Sequence, residues 1–224
     1  MDELIIKAIG IQPRVVLYMG SGYKSFDYFL AQIRGLVRGV YNDFIGGDFI
    51  DTMANLISGQ LTQAYRQAYT DEGYTDFNLP DYLQSSLTDA IAYQYTFVDQ
   101  YYRDIVDARI DKTPIDPLLQ RASLWANRYN EAYNEAVKLI TAENGGNMIW
   151  EYGAAEHCDT CRDLNGIVAS AKEWEAAGVK PQNAPNPLID CGGWNCKCSL
   201  SSTTRRRSPK ALDRILNIIA GREL

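Results

Sequence analysis

The sequence predicts a mainly α protein: an elongated antiparallel helical bundle, then a small α+β cysteine-rich module of zinc-knuckle type, then a C-terminal helix. Three observations carry this. Four stripes of apolar residues recur at spacings of three and four between residues 25 and 140, each one face of a helix. All five cysteines follow residue 150, whereas 14 of the 15 tyrosines precede it, so two parts of the chain are built differently. Charge divides with them: residues 1–150 carry 12 Lys/Arg against 19 Asp/Glu, and residues 151–224 carry 10 against 9. The break falls at Asn144-Gly145-Gly146-Asn147, where two glycines and flanking asparagines punctuate the pattern. The expected divisions are a helical bundle over 1–146, a cysteine-rich module over 147–202, and a basic linker with a docking helix over 203–224.

The first stripe runs Phe26, Phe29, Leu30, Ile33, Val37, Val40, Tyr41, Phe44 and stops before Gly46-Gly47. Ile50, Met53, Ile57, Leu61, Ala64 and Ala68 form the second, closed by Gly73. Leu79-Pro80 suits a helix start, and Leu83, Leu87, Ile91, Val98, Tyr102, Ile105 and Val106 make one long third stripe. Pro114 and Pro117 open the fourth, from Leu118 through Ala122, Trp125, Tyr129, Ala132, Ala136, Val137 and Ile140. Short Gly or Pro turns between long helices give antiparallel neighbours. Tyr93, Tyr95, Tyr101 and Tyr102 crowd one helix; they read as amphipathic edge residues or as a protein-contact face. Arg14–Met19, between Pro13 and Gly20, reads as a strand or an extended arm.

Beyond the Gly-Gly break, Met148–Tyr152 is a short β-like run, and Ala171–Ala177 a short helix. Between and after them lie the cysteines. Cys158 and Cys161 form a CxxC, and Cys191, Cys196 and Cys198 follow thirty residues later. A CxxC grips one ion from a tight turn, and a distant second pair completes a tetrahedral thiolate cage. Gly192 and Gly193 would let the backbone curl around it. A structural zinc site of Cys158, Cys161, Cys191 and either Cys196 or Cys198 is the leading expectation. Disulfides or unpaired thiols, and a catalytic thiol, stand beside it. His157 is a spare ligand or an exposed loop residue.

Several function classes are excluded or disfavoured. A net charge of −6 lacks the basic field of a general nucleic-acid or membrane-surface binder, though a local basic site remains open. One histidine cannot make an HExxH or multi-histidine metal centre. No GxGxxG or GxxxxGK[ST] loop cradles phosphates, and Asp163, Glu173 and Glu175 read as a solvated face rather than a carboxylate pair. No small-molecule substrate and no enzymatic activity are therefore expected. Met1–Lys7 is acidic, with no apolar run after it, and no stretch nears 18 apolar residues; neither a secretory signal nor a membrane span is expected. Ser199–Lys210 is a polar linker that becomes basic at Arg205, Arg206 and Arg207, suited to phosphates or an acidic protein surface. The final segment, with Leu212, Ile215, Leu216, Ile218 and Ile219, is an apolar helix built to dock on its own bundle or on a partner.

The run from Trp150 through His157-Cys158-Asp159-Thr160-Cys161-Arg162-Asp163-Leu164-Asn165-Gly166-Ile167-Val168 resembles the C-terminal signature of the phage Mu F-like head-morphogenesis (minor head protein) family. Lys172-Glu173-Trp174 matches its Trp-bearing short helix, and Cys191-Gly192-Gly193-Trp194-Asn195-Cys196-Lys197-Cys198-Ser199-Leu200 its Gly-rich knuckle. Arg121–Tyr129 is similar to the preceding helix, so the resemblance covers about residues 120–200. One departure is Cys198, near where relatives carry a histidine. The resemblance implies a virion component associated with the portal, with portal and capsid proteins or packaged DNA as its partners; beside it, the reading of the cysteines themselves makes zinc a folding staple.

Overall fold

The computed structural model describes residues 26–76, 78–154, 156–194 and 196–221. The expected strand or arm at Arg14–Met19 lies outside them. The fold is mainly α, with a small three-stranded sheet, a cysteine cluster toward the C-terminus and a closing helix. By internal contacts it forms two compact units: the described part of Met1–Arg66 with Pro80–Ala132, and Gln67–Leu79 with the described part of Tyr133–Leu224.

The first unit is a helical bundle of α1 (Phe26–Tyr41), α2 (Asp48–Asp71, to Arg66), α3 (Asp81–Tyr95), α4 (Val98–Ile110) and the start of α5 (Asp116–Glu143). The apolar stripes face inward: Phe29, Ile33, Val37 and Val40 from α1, and Met53, Ile57, Leu61 and Ala64 from α2, are buried. Side-chain bonds fix the helix directions. Tyr65 meets Ser86 at 2.7 Å while the Tyr95 hydroxyl donates to the Ala54 carbonyl, so α2 and α3 run antiparallel. Phe29 stacks on Tyr129 while Arg34 donates to the Leu119 carbonyl, which sets α1 against α5 in the same sense. Gln60, 1% exposed, is an amide in an apolar core, and its Nε2 donates to the carbonyls of Trp125 and Ala126. Those bonds remove the desolvation penalty that a lone buried amide would carry.

The single long third helix expected over 83–106 is two helices. At the junction the Thr96 hydroxyl donates to the Tyr93 carbonyl, and the N–H groups of Thr96 and Phe97 bond to carbonyls three residues back. A tight 3₁₀-type turn therefore replaces the α ladder there. The tyrosines divide accordingly. Tyr101 is fully buried, with its hydroxyl donating to the Leu118 carbonyl and its ring against Phe49 and Trp125. Tyr102 stacks on Phe49, and Tyr93 stays exposed, edge-on to Phe97.

The second unit is built on a sheet of order β2-β1-β3, with β1 (Asn147–Glu151) central and antiparallel to both β2 (Val168–Ser170) and β3 (Ser199–Thr203). The Gly145-Gly146 pair ends α5 and starts β1. Met148, Ile149 and Trp150 are all buried, so both faces of the central strand are covered. Two further short helices, α6 (Asp159–Leu164) and α7 (Ala171–Ala177), flank β2 in sequence. Trp174 of α7 lies 5.8 Å from Trp150, ring to ring, and donates its indole N–H to the Met148 carbonyl.

Glu173, read from sequence as solvated, instead completes a capping box with Ser170: each side chain bonds the other residue's backbone N–H. The final helix, α8 (Ala211–Ala220), packs against α6, α7 and β2 of its own unit. Ile215 and Ile219 are buried there, each contributing about 1.5–3 kcal/mol. The supposed linker Ser199–Thr203 is β3, ordered through its ladder to β1. Among the described residues no helix is long and apolar enough to cross a membrane.

Candidate metal centre

Strand register is what brings the two cysteine groups together. β1 leads into the loop that carries Cys158 and Cys161, and β3 starts one residue after Cys198. Because Glu151 pairs with Ser199, those two segments emerge side by side at one end of the sheet. Gly153 permits the approach: a Cβ there would collide with the Lys197 carbonyl oxygen. Cys158 caps α6 and Cys161 lies in its first turn, so their sulfurs share one side of that helix. Cys191 opens the turn 191–194, where Gly193 has φ +79° and a Cβ would strike the Asn183 carbonyl at 2.6 Å. Both expected glycines, Gly192 and Gly193, lie in the left-handed region that lets this turn close.

Two sets of sulfurs result. Cys158, Cys161 and Cys191 have Sγ atoms all within 4.8 Å of one another, and so do Cys161, Cys196 and Cys198. All five cysteines are free, and Cys161 and Cys198 are buried. Either set could hold a metal ion. His157, one residue before the CxxC, turns toward the far knuckle: its Nδ1 is 3.5 Å from Cys198 Sγ, and its ring stacks on Tyr152 at 3.9 Å.

The thiols are electrostatically unequal. Sulfur contacts from Cys161 and Cys196, then N–H groups of Gly153 and Trp150, outweigh burial and pull Cys198 down to about 3. Cys161 is pushed far up by its contacts with Cys196 and Cys198 and by burial. Burial pushes Cys191 up to about 12. Burial also opposes ionisation of Cys158, but backbone N–H groups of Cys161 and Cys191 hold it below the ordinary thiol value. Close-packed thiols cannot all be anionic without a cation, and a bound divalent ion reverses that by stabilising thiolate. The indole N–H of Trp150, fully buried and without an oxygen or nitrogen acceptor among the described residues, lies beside Cys198. A metal-bound thiolate gives such a donor its acceptor, so the residues present fit a thiolate-ligated metal.

Other candidate residues lie apart from the cluster. Arg207 pairs with Glu173, the capping carboxylate of α7. Arg205 and Arg206 are exposed, and neither meets an acidic side chain among the described residues. Glu175 reaches Lys138 at 3.6 Å, so Glu173 and Glu175 each face a basic side chain. No family model, curated protein or solved structure matches this chain.

Sequence reasoning missed one residue that organises the site. Thr160, between the two cysteines of the CxxC, takes an N–H bond to the Asp190 carboxylate at 2.9 Å, and its hydroxyl accepts from the Asp190 N–H at 3.1 Å. This reciprocal pair fastens the α6 knuckle to the segment that carries Cys191. Its signal was the immediate adjacency of Asp190 to Cys191, and of Thr160 to Cys161. Groups that orient ligands in this way are worth about 10- to 100-fold in metal affinity. Asp190→Ala should therefore release metal to a competing chelator at about 10- to 100-fold lower chelator concentration, with helix content unchanged by circular dichroism.

Proposed function

We propose that this chain is a structural, portal-associated minor head protein of a phage particle, acting in head assembly or in DNA packaging and delivery. In this reading zinc at the cysteine cluster staples the C-terminal unit. One observation carries it: the two halves of the resembling signature, residues 150–168 and 191–200, meet at one end of a sheet, their cysteines within ligand distance. The signature thus behaves as one folded module rather than scattered matches. A structural ion serves there, because the segment from 178 to 198 has no helix or strand of its own among the described residues. Burial of Cys161 and Cys198 suits ligation better than nucleophilic attack, which needs an accessible sulfur. Zinc is the ion that a thiolate-rich tetrahedral site selects in reducing compartments.

Portal and capsid proteins are the partners this assigns, and the particle is the destination. Exposure of Arg205 and Arg206 favours a second reading, contact with nucleic acid. Affinity capture of the tagged chain from phage-producing cells, with mass spectrometry of the partners, separates the two. Recovery of portal and major capsid proteins is expected. Recovery of nucleic acid alone, weakened by salt and lost on Arg205→Ala with Arg206→Ala, would replace the head-protein reading with the second; recovery of neither would overturn both.

A further inference from the structure

We propose that the cysteine cluster holds two divalent metal ions joined through the Cys161 sulfur, rather than one ion in a four-thiolate cage. The inference rests on the metal-binding reading above and extends it to number and connectivity. A tetrahedral ion with metal–sulfur distances near 2.3 Å sets its sulfurs about 3.8 Å apart, so four ligands of one ion would form a single mutually close set. The five thiols do not gather in this way. They fall into Cys158, Cys161, Cys191 and Cys161, Cys196, Cys198, two sets of three that share Cys161 and do not merge into a set of four among the described residues. Two tetrahedra sharing one corner have this pattern, and a thiolate sulfur has the lone pairs to serve both.

His157 Nδ1 approaches Cys198 Sγ at 3.5 Å but does not join the mutually close set of Cys161, Cys196 and Cys198, so the last donor of that set comes from outside the five thiols. On the other side Cys158 and Cys191 are half-buried, which leaves solvent to supply the last donor.

The test is native mass spectrometry of the full chain, purified anaerobically with zinc and then exchanged into metal-free buffer, with the ¹¹³Cd-substituted protein measured by NMR. The expected result is two ions per chain and two cadmium resonances coupled to one another through the shared sulfur. Cys161→Ser should lose both ions, Cys158→Ser only one, and Cys198→Ser only the other. One ion per chain, or two uncoupled resonances, would overturn the bridged arrangement while leaving the zinc staple intact. A chain that retains no ion overturns both. The count on the unaltered chain stands even where a variant misfolds.

Discussion

Stripping the metal with a strong chelator is expected to melt the loops of the C-terminal unit and leave the helical bundle folded. The free energy of binding structural zinc by thiolates is about 10–16 kcal/mol, comparable to the whole stability of an ordinary domain. Here it acts on the segments 152–158 and 178–198, which hold no helix or strand among the described residues, and on the short helix α6 between Cys158 and Asn165. The sheet keeps an apolar core of Met148, Trp150, Trp174 and Ile215, so collapse should be local rather than global. Hydrogen exchange reads this directly. Amides of residues 158–165 and 186–194 should lose protection with chelator, while those of α1, α3 and α4 keep theirs. Cys161→Ser should reproduce the chelator's pattern without chelator, since Cys161 belongs to both sulfur sets. Protection that is indifferent to chelator would show that the thiols pack without metal.

The second large effect concerns a buried ammonium. Lys138 is 8% exposed and lies 2.6 Å from Glu135, which also meets Lys180 at 3.3 Å. Its other partner, Glu175, is 3.6 Å away and mostly exposed. Glu135→Ala leaves Lys138 without its close counter-charge, and breaking a buried pair from one side costs about 3–5 kcal/mol. Urea unfolding at neutral pH should show a loss near the lower end of that range, because Glu175 remains. Glu135→Ala combined with Lys138→Met should recover much of it, since the uncompensated charge is then gone.

Acid should act at the same place. Burial pushes the Glu135 carboxyl up, but the ammonium groups of Lys138 and Lys180 outweigh burial and hold it below its ordinary value of 4.5. A carboxyl with a depressed native pKa stabilises the fold fully above its unfolded value. That stability is lost as pH falls from about 4.5 through the lower native value. Glu135→Gln should accordingly show a shallower fall in stability below pH 4.5.

The helices were legible because their burial is periodic. Met53, Ile57, Leu61 and Ala64 appear in sequence as the stripe they form in space. The break between α3 and α4 was not, because Leu87, Gln94, Val98 and Tyr101 stay in helical phase across it and a local Thr96 bond decides the matter. β3 was hidden by composition. Ser199, Ser201, Ser202 and Thr203 look like a solvated linker, and their order comes from pairing with a strand some fifty residues earlier.

The cysteine cluster could be read from spacing, since CxxC turns are local. Its division into two sets, and the contact between His157 and Cys198, depend on the β1–β3 register and on the Gly153 approach, neither of which spacing encodes. Arg207 was read for its charge alone. Its partner Glu173 lies 34 positions away, joined to it only by folding.

The meeting of Cys158 and Cys161 with Cys191, Cys196 and Cys198 also has a mechanical meaning. Once sulfur–metal bonds join them, the stretch from 158 to 198 is a closed ring, and tension applied to the chain on either side passes through the ion rather than along the stretch. Those forty residues would otherwise pay out as much as about 140 Å of slack when drawn straight. With the ring closed, β2, α7 and the Cys191 turn are sheltered from load, and the chain transmits a pull at nearly fixed length.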